Sequence, residues 1–457
     1  MSEDQRQDPE DEFREMLRKL LSGGSDIDPA KLASAAGLPN DPAMVARLMS
    51  QLQSAMHSDG DGTNWGVALE QAKTLAGASA HPTTPAEQNS FQQSLTVAAL
   101  WLSEATEISA LTVTPRLMTR SEWVSATMPV WTQLAEPVAL SISNALTQVL
   151  RQQAPEEMSQ IIDGASKLMR NVGGTLFAMQ LGQIVGQLSA EVVSGGDIGI
   201  PLLGSSDDIQ AVILPQNVSL YGEGLDIEPD QIQLYFAVRE LAHARLFRHA
   251  KWLRLQLMTA IGEFAQGIRI DSDRLVELAQ DFDPSNPEEL RQAMVSGALI
   301  PPKTDAQSAA LERLETMLAL IEGWVDVVTL QATARLPKAG AIAETVRRRR
   351  ASGGPAESAF STLVGLDLRP RRLREAAAMW QELTDGLGSA RRDELWSHPD
   401  LVPGSPDIDN PLALIQRLAG GEVGLDDVDQ AIRALLEDSR GTRPHENVDG
   451  SADEPQS

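Results

Sequence analysis

Residues 239–254 read RELAHARLFRHAKWLR, and the first five of them, Arg239-Glu240-Leu241-Ala242-His243, decide how the rest of the chain is read. They match H-E-x-x-H except at the first position. In that motif two histidines four residues apart project from one face of a helix towards a zinc ion, and the glutamate activates water. Here Glu240 and His243 hold the motif positions, while Arg239 brings a positive charge where a neutral nitrogen ligand belongs. Arginine stays protonated, with a pKa above about 12, so it has no lone pair to offer a metal.

Working outward, residues 231–268 carry a helical pattern, and positions four apart differ by only about 40° around a helix. Arg239 and His243 therefore face one pocket. A second segment, MLALIEGWVDVVTLQATA at 317–334, lies in a helical stretch predicted over 309–335. Its only charged residues are Glu322 and Asp326, one turn apart. Carboxylates in so apolar a run are costly to bury without a counter-charge, donors or a metal.

Two arrangements satisfy these residues. In the catalytic one, His243 and Glu322 bind zinc with a further ligand still to be found. Glu240 is then the general base, and Asp326 orients His243 or another ligand. In the other, the Arg239 guanidinium pairs with Glu322 or Asp326, and His243 donates to the remaining carboxylate, so that a structural charge network replaces the metal. Charge balance favours the second. His249, six residues beyond His243, points away from the face and does not repair the site; His57, His81, His398 and His445 could reach it only through long-range folding.

The remainder of the 457-residue chain bounds what surrounds this centre. A hydrophobic fraction of 42% supports a core, and a formal net charge of -26 argues against broad binding to nucleic acid or anionic membranes. There is no cysteine, hence no disulfide and no thiolate ligand. With no apolar run of membrane-spanning length and no leader pattern at the N-terminus, a cytoplasmic setting is expected. Residues 1–60 read as a mobile region with a short amphipathic helix near Phe13–Leu21, and 441–457 as a disordered acidic tail. Residues 61–440 form a mainly helical body, with a candidate division into two lobes near 195–230. There GGDIGIPLLG is turn-rich and AVILP supplies a short strand. Helices are predicted over 91–113 and 123–150, the latter interrupted or redirected by Pro129 and Pro137. Recurring apolar and small residues at 158–193, broken by Gly173-Gly174, suit close helix packing. The clusters Arg347–Arg350 and Arg369–Arg374 suit local carboxylate pairing or a local anionic partner, which is otherwise an unknown protein or peptide. Trp252 and Trp324 flank the two segments and are expected to pack helices.

Six longer stretches carry a resemblance across about Asn64–Leu436. They are NWGVALEQA, TRSEWVSATMPVWTQLAEPV, GGDIGIPLL, RELAHARLFRHAKWLR, IEGWVDVV and ASGGPAESAFSTLVGLDLRPRRLREAAAMW. Together they resemble the actinobacterial zincin-like family of zinc-dependent metallopeptidases or hydrolases, whose relatives include proteins associated with coenzyme F420 biosynthesis. The resemblance implies a largely helical zincin-like fold with 239–243 on the active-site helix. It also implies Glu322 as the third zinc ligand and Asp326 as its supporting carboxylate. Arg239 is the departure, and a shared fold does not establish peptide hydrolysis.

Overall fold

The computed structural model describes residues 63–153, 174–175, 177–204, 208–266, 303–351, 360–361, 366 and 371–420. Outside these lie the expected N-terminal region and its helix, residues 158–173, the acidic tail and Arg369.

The chain is mainly helical. α1 (Trp65–Ala78) leads to α2 (Pro85–Ala105), which opens with a reciprocal Thr84–Glu87 capping box and a proline in its first turn. α2 ends well short of residue 113, because Thr106 adopts extended backbone and its hydroxyl is drawn 2.6 Å from Asp393. α3 (Arg120–Gln153) continues through Pro129 and Pro137, so of the expected interruption or redirection the interruption does not occur. Each proline withdraws one N–H from the ladder at a cost of about 3 kcal/mol. Around them Trp123, Val124, Trp131, Leu134 and Val138 are buried. At about 1.5–3 kcal/mol per large apolar side chain, that packing outweighs the lost bonds.

After a helix over residues 177–189 (α4), the predicted strand appears as β2 (Val212–Ile213). It pairs in parallel with β1 (Arg116–Leu117), Arg116 facing Val212 and Leu117 facing Ile213. Ser194 bridges Ile213 in antiparallel sense. The small sheet is thus shorter than the apolar run suggests, and its second strand comes from nearly a hundred residues away.

α5 (Pro215–Gly222) precedes the helix that carries RELAH, α6 (Pro229–His249). The stretch expected to be one helix over 231–268 divides at buried Ala250, where the backbone turns out of the helix, and resumes as α7 (Lys251–Gln266). α8 (Asp305–Ala332) begins at a Thr304–Gln307 capping box, and α9 (Ala339–Ala351) folds back after it. α10 (Leu373–Glu394) is followed by short helices at Pro399–Leu401, Ser405–Asp409 and Pro411–Ala419.

Two helices sit at the middle of this assembly. Every residue of α6 from Tyr235 to Phe247 is buried, as is every residue of α8 from Leu318 to Thr329. α6 packs on α2, α5, α8 and α9, and α8 on α2, α6, α7 and α10. A helix enclosed on all sides has no polar face to give to water. Its charged residues must find partners inside the protein. Among the described residues no helix is long and apolar enough to cross a membrane.

Candidate functional site

Arg239, Glu240, His243, Glu322 and Asp326 are each 3% exposed or less. The α6 and α8 segments that hold them meet, and Glu322 is the hub. Its Oε2 accepts a short bond from the Arg239 guanidinium. Its Oε1 lies 3.1 Å from His243 Nε2 and accepts from Arg350 of α9 at 2.9 Å. Asp326 makes a different contact: its Oδ2 accepts from Arg347 Nε and an Arg347 terminal nitrogen at 3.0 and 2.6 Å. Arg239 and His243 therefore share one carboxylate instead of dividing two between them, and Asp326 orients neither.

The electrostatics follow from this crowding. Burial alone would raise the Glu322 pKa, but Arg350, Arg239 and His243 together hold it far below the usual carboxylate range. For Arg239, burial pulls down while Glu322, then Tyr235 and Asp326, more than compensate, so the guanidinium stays charged. His243 is lowered, by burial first and by the neighbouring arginines, against the pull of Glu322. Its Nδ1 faces the Arg239 carbonyl at 3.1 Å and its Nε2 faces Glu322, both acceptors. A neutral ring can donate to only one of them.

Glu240 points elsewhere. Its two oxygens accept the backbone N–H groups of Gly196 and Val212, both at 2.7 Å, and it also bonds the Ser194 side chain. It ties the turn after Val193 to β2. Burial raises its pKa to about 7, opposed by those N–H donors.

The turn so tied closes over the centre, and its glycines let it approach. A β-carbon placed on Gly196 would stand 2.7 Å from His243 Cβ. Gly199, at φ 80°, would bring one 2.9 Å from Glu322 Oε1. Asp197 in the same turn accepts from the Val193 N–H at 3.0 Å and pairs with Arg349 at 3.5 Å. Four arginines (239, 347, 349 and 350) thus stand against four carboxylates (Asp197, Glu240, Glu322 and Asp326) when Glu240 is ionised.

Sequence reasoning placed Arg347–Arg350 apart from this centre; three of the four enter it. Arg347 and Arg350 are spaced one turn apart, as are Asp326 and Glu322, and the crossed pairing shows that α8 and α9 run antiparallel. That matched spacing was the available signal. Arg348 remains outward on Glu344. Gly196, Gly199 and Asp197 were visible only as turn chemistry. His249, His81 and His398 are exposed, His398 capping the short helix that follows it. The indole of Trp324 donates to Asp393 at 2.9 Å and that of Trp252 to the Trp396 carbonyl at 3.2 Å, so both pack helices as expected.

A zinc ion does not fit these donors. Glu322 has both oxygens engaged by arginines and His243, His243 Nε2 faces that same carboxylate, and Arg239 fills the first ligand position. Among the described residues, no three histidine, aspartate or glutamate side chains form a group able to hold a metal.

A profile of the zincin-like metallopeptidase family matches residues 63–415. A solved structure of a proposed hydrolase with a novel fold, from Chloroflexus aurantiacus, superposes with a TM-score of 0.54 at 18% identity. The match covers 78% of this chain and 98% of that one, and it shows a shared fold. No curated protein matches the chain.

Proposed function

Since the chain belongs to the zincin-like metallopeptidase family, we propose that it is a member in which an arginine–carboxylate centre has replaced the metal centre, leaving a non-hydrolytic protein that acts by binding. One observation supports this: Glu322, which the family resemblance implies as the third zinc ligand, is bridged by Arg239 from the motif helix and by Arg350 from α9. The guanidinium of Arg239 supplies, through a covalent tether, positive charge of the kind a bound cation supplies in an intact motif. Glu240, in this reading, is a structural acceptor. Its carboxylate holds two backbone N–H groups.

The partner in this reading is a protein or peptide. Outward-facing Arg348, Arg371 and Arg374, which pair with Glu344 or Glu315, offer it an anionic contact. A cytoplasmic setting is part of the same reading, supported by the cysteine-free sequence. So is the narrower kinship with relatives associated with coenzyme F420 biosynthesis, for which the six quoted segments are the support.

Metal analysis of the purified protein after incubation with zinc, together with a peptide-hydrolysis screen, tests the proposal. The expected outcome is no zinc in a one-to-one ratio and no chelator-sensitive hydrolysis. One zinc per chain that is lost in His243→Ala and Glu322→Gln would overturn it.

A further inference from the structure

Glu322 carries a guanidinium group on each oxygen, and the two come from different helices. Arg239 of α6 donates to Oε2, and Arg350 of α9 donates to Oε1 at 2.9 Å. The altered motif accounts for the first of these alone. Arg350 stands more than a hundred residues further along the chain.

Arg350 is held in place from three sides. It is buried, and α9 is anchored one turn earlier by Arg347 on Asp326, at 2.6 and 3.0 Å. Gly199 roofs the contact: a β-carbon there would stand 2.9 Å from Glu322 Oε1 and 3.8 Å from a terminal nitrogen of Arg350. Oε1 is also the oxygen that His243 Nε2 faces at 3.1 Å. A metal ion bound to His243 and to either oxygen of Glu322 would therefore stand within a few ångströms of a fixed positive charge.

Charge counting points the same way. With Glu240 ionised, Arg239, Arg347, Arg349 and Arg350 balance Asp197, Glu240, Glu322 and Asp326. With a neutral side chain at position 239 the group lacks one positive charge, and a divalent ion would leave it one in excess. With Arg350 neutralised as well the shortfall is two, which one divalent ion makes good. Water screens a buried charge poorly, so the difference between these two cases is large.

We propose that Arg239 and Arg350 together take the place of one divalent cation, so that Arg350 is a second determinant that keeps zinc out. This rests on the reading of the centre as metal-free and makes the replacement the work of two residues on two helices. Restoring the motif histidine is then not enough to restore a metal site.

Zinc titration calorimetry with metal analysis of full-length variants tests this. Arg239→His/Arg350→Gln should take one zinc per chain through the introduced imidazole, His243 and Glu322, a set of three protein ligands that suits zinc. Arg239→His alone should bind at least about 100-fold more weakly, and Arg239→His/Arg350→Lys, which keeps the charge, should resemble it. Tight one-to-one binding by Arg239→His, or none by the folded Arg350→Gln double variant, would sink the proposal. A double variant that folds poorly is read by thermal unfolding, since an ion that binds the native state stabilises it. Zinc should then raise or restore its transition and leave that of Arg239→His unmoved; an equal response in the two, or none in either, counts against the second determinant. One-to-one zinc in the wild type would instead remove the metal-free reading itself.

Discussion

Two buried charge networks among the described residues are built on different terms. Near the end of α10, Arg392 and Asp393 are fully enclosed. Asp393 accepts from Thr106, the Glu107 N–H, Trp324 and Arg392, while Arg392 also donates to the Ala105 carbonyl, Gln331 and Thr384. Its guanidinium also lies 5.9 Å from the Trp324 ring centroid. The network has one cation for one anion, and both oxygens of Asp393 are used. Around Glu322 the accounting is uneven: two arginines and a histidine converge on one carboxylate, while Asp326 one turn away keeps an oxygen without a partner among the described residues. A network that only joins helices can settle into full satisfaction. The one on the motif helix gathers more cations than its hub carboxylate can pair one to one.

Substitutions at matched positions would break or sharpen this contrast. Arg392→Met should be the most damaging, costing about 3–5 kcal/mol in urea unfolding, because Asp393 is then left buried without its only cation. Arg239→Met should cost distinctly less, because Arg350 remains on Glu322. Equal losses would show that the two networks do not differ in the way described. Gly196→Ala comes next, at about 1–3 kcal/mol, since its methyl group must displace His243 or the turn. Retention of wild-type stability there would mean that the turn does not press on the centre.

The smallest expected effect is one of slope. The Glu240 pKa lies near 7 in the folded protein against an ordinary value of 4.5, so the folded state binds this proton more tightly than the unfolded one. Its contribution is fully present below about pH 4.5 and is lost as the pH rises through about 7. Glu322 acts oppositely, since its lowered pKa gives stability above the ordinary value that drains away in acid. Glu240 therefore contributes a fall in unfolding free energy between about pH 4.5 and pH 7, while buried His243, with its lowered pKa, contributes a rise, and Glu240→Gln should remove the falling part and make the slope more positive than that of wild type. An unchanged slope in the variant would assign the dependence to other groups.

Much of this was legible locally. The spacing of apolar residues located α6 and α8. The altered motif and the lone Glu322–Asp326 pair identified the faces that meet, because helical phase depends on near neighbours in sequence. The breaks were harder. Nothing in KWLRLQL marks Ala250 as the point where α6 ends, and α3 passes two prolines that local propensity would set as boundaries. Both outcomes are decided by packing against distant segments.

The sequence by itself determined that the centre has an arginine where a metal ligand belongs, since that depends only on residue identity and a four-residue spacing. It also determined that two carboxylates in an apolar helix would need partners. Which partners they took was decided by the tertiary structure. The antiparallel return of α9 sets Arg350 on Glu322 and Arg347 on Asp326, and the glycine turn directs Glu240 onto backbone donors. Charges over short distances in a low-dielectric interior are governed by which groups meet, and chain folding alone makes those meetings.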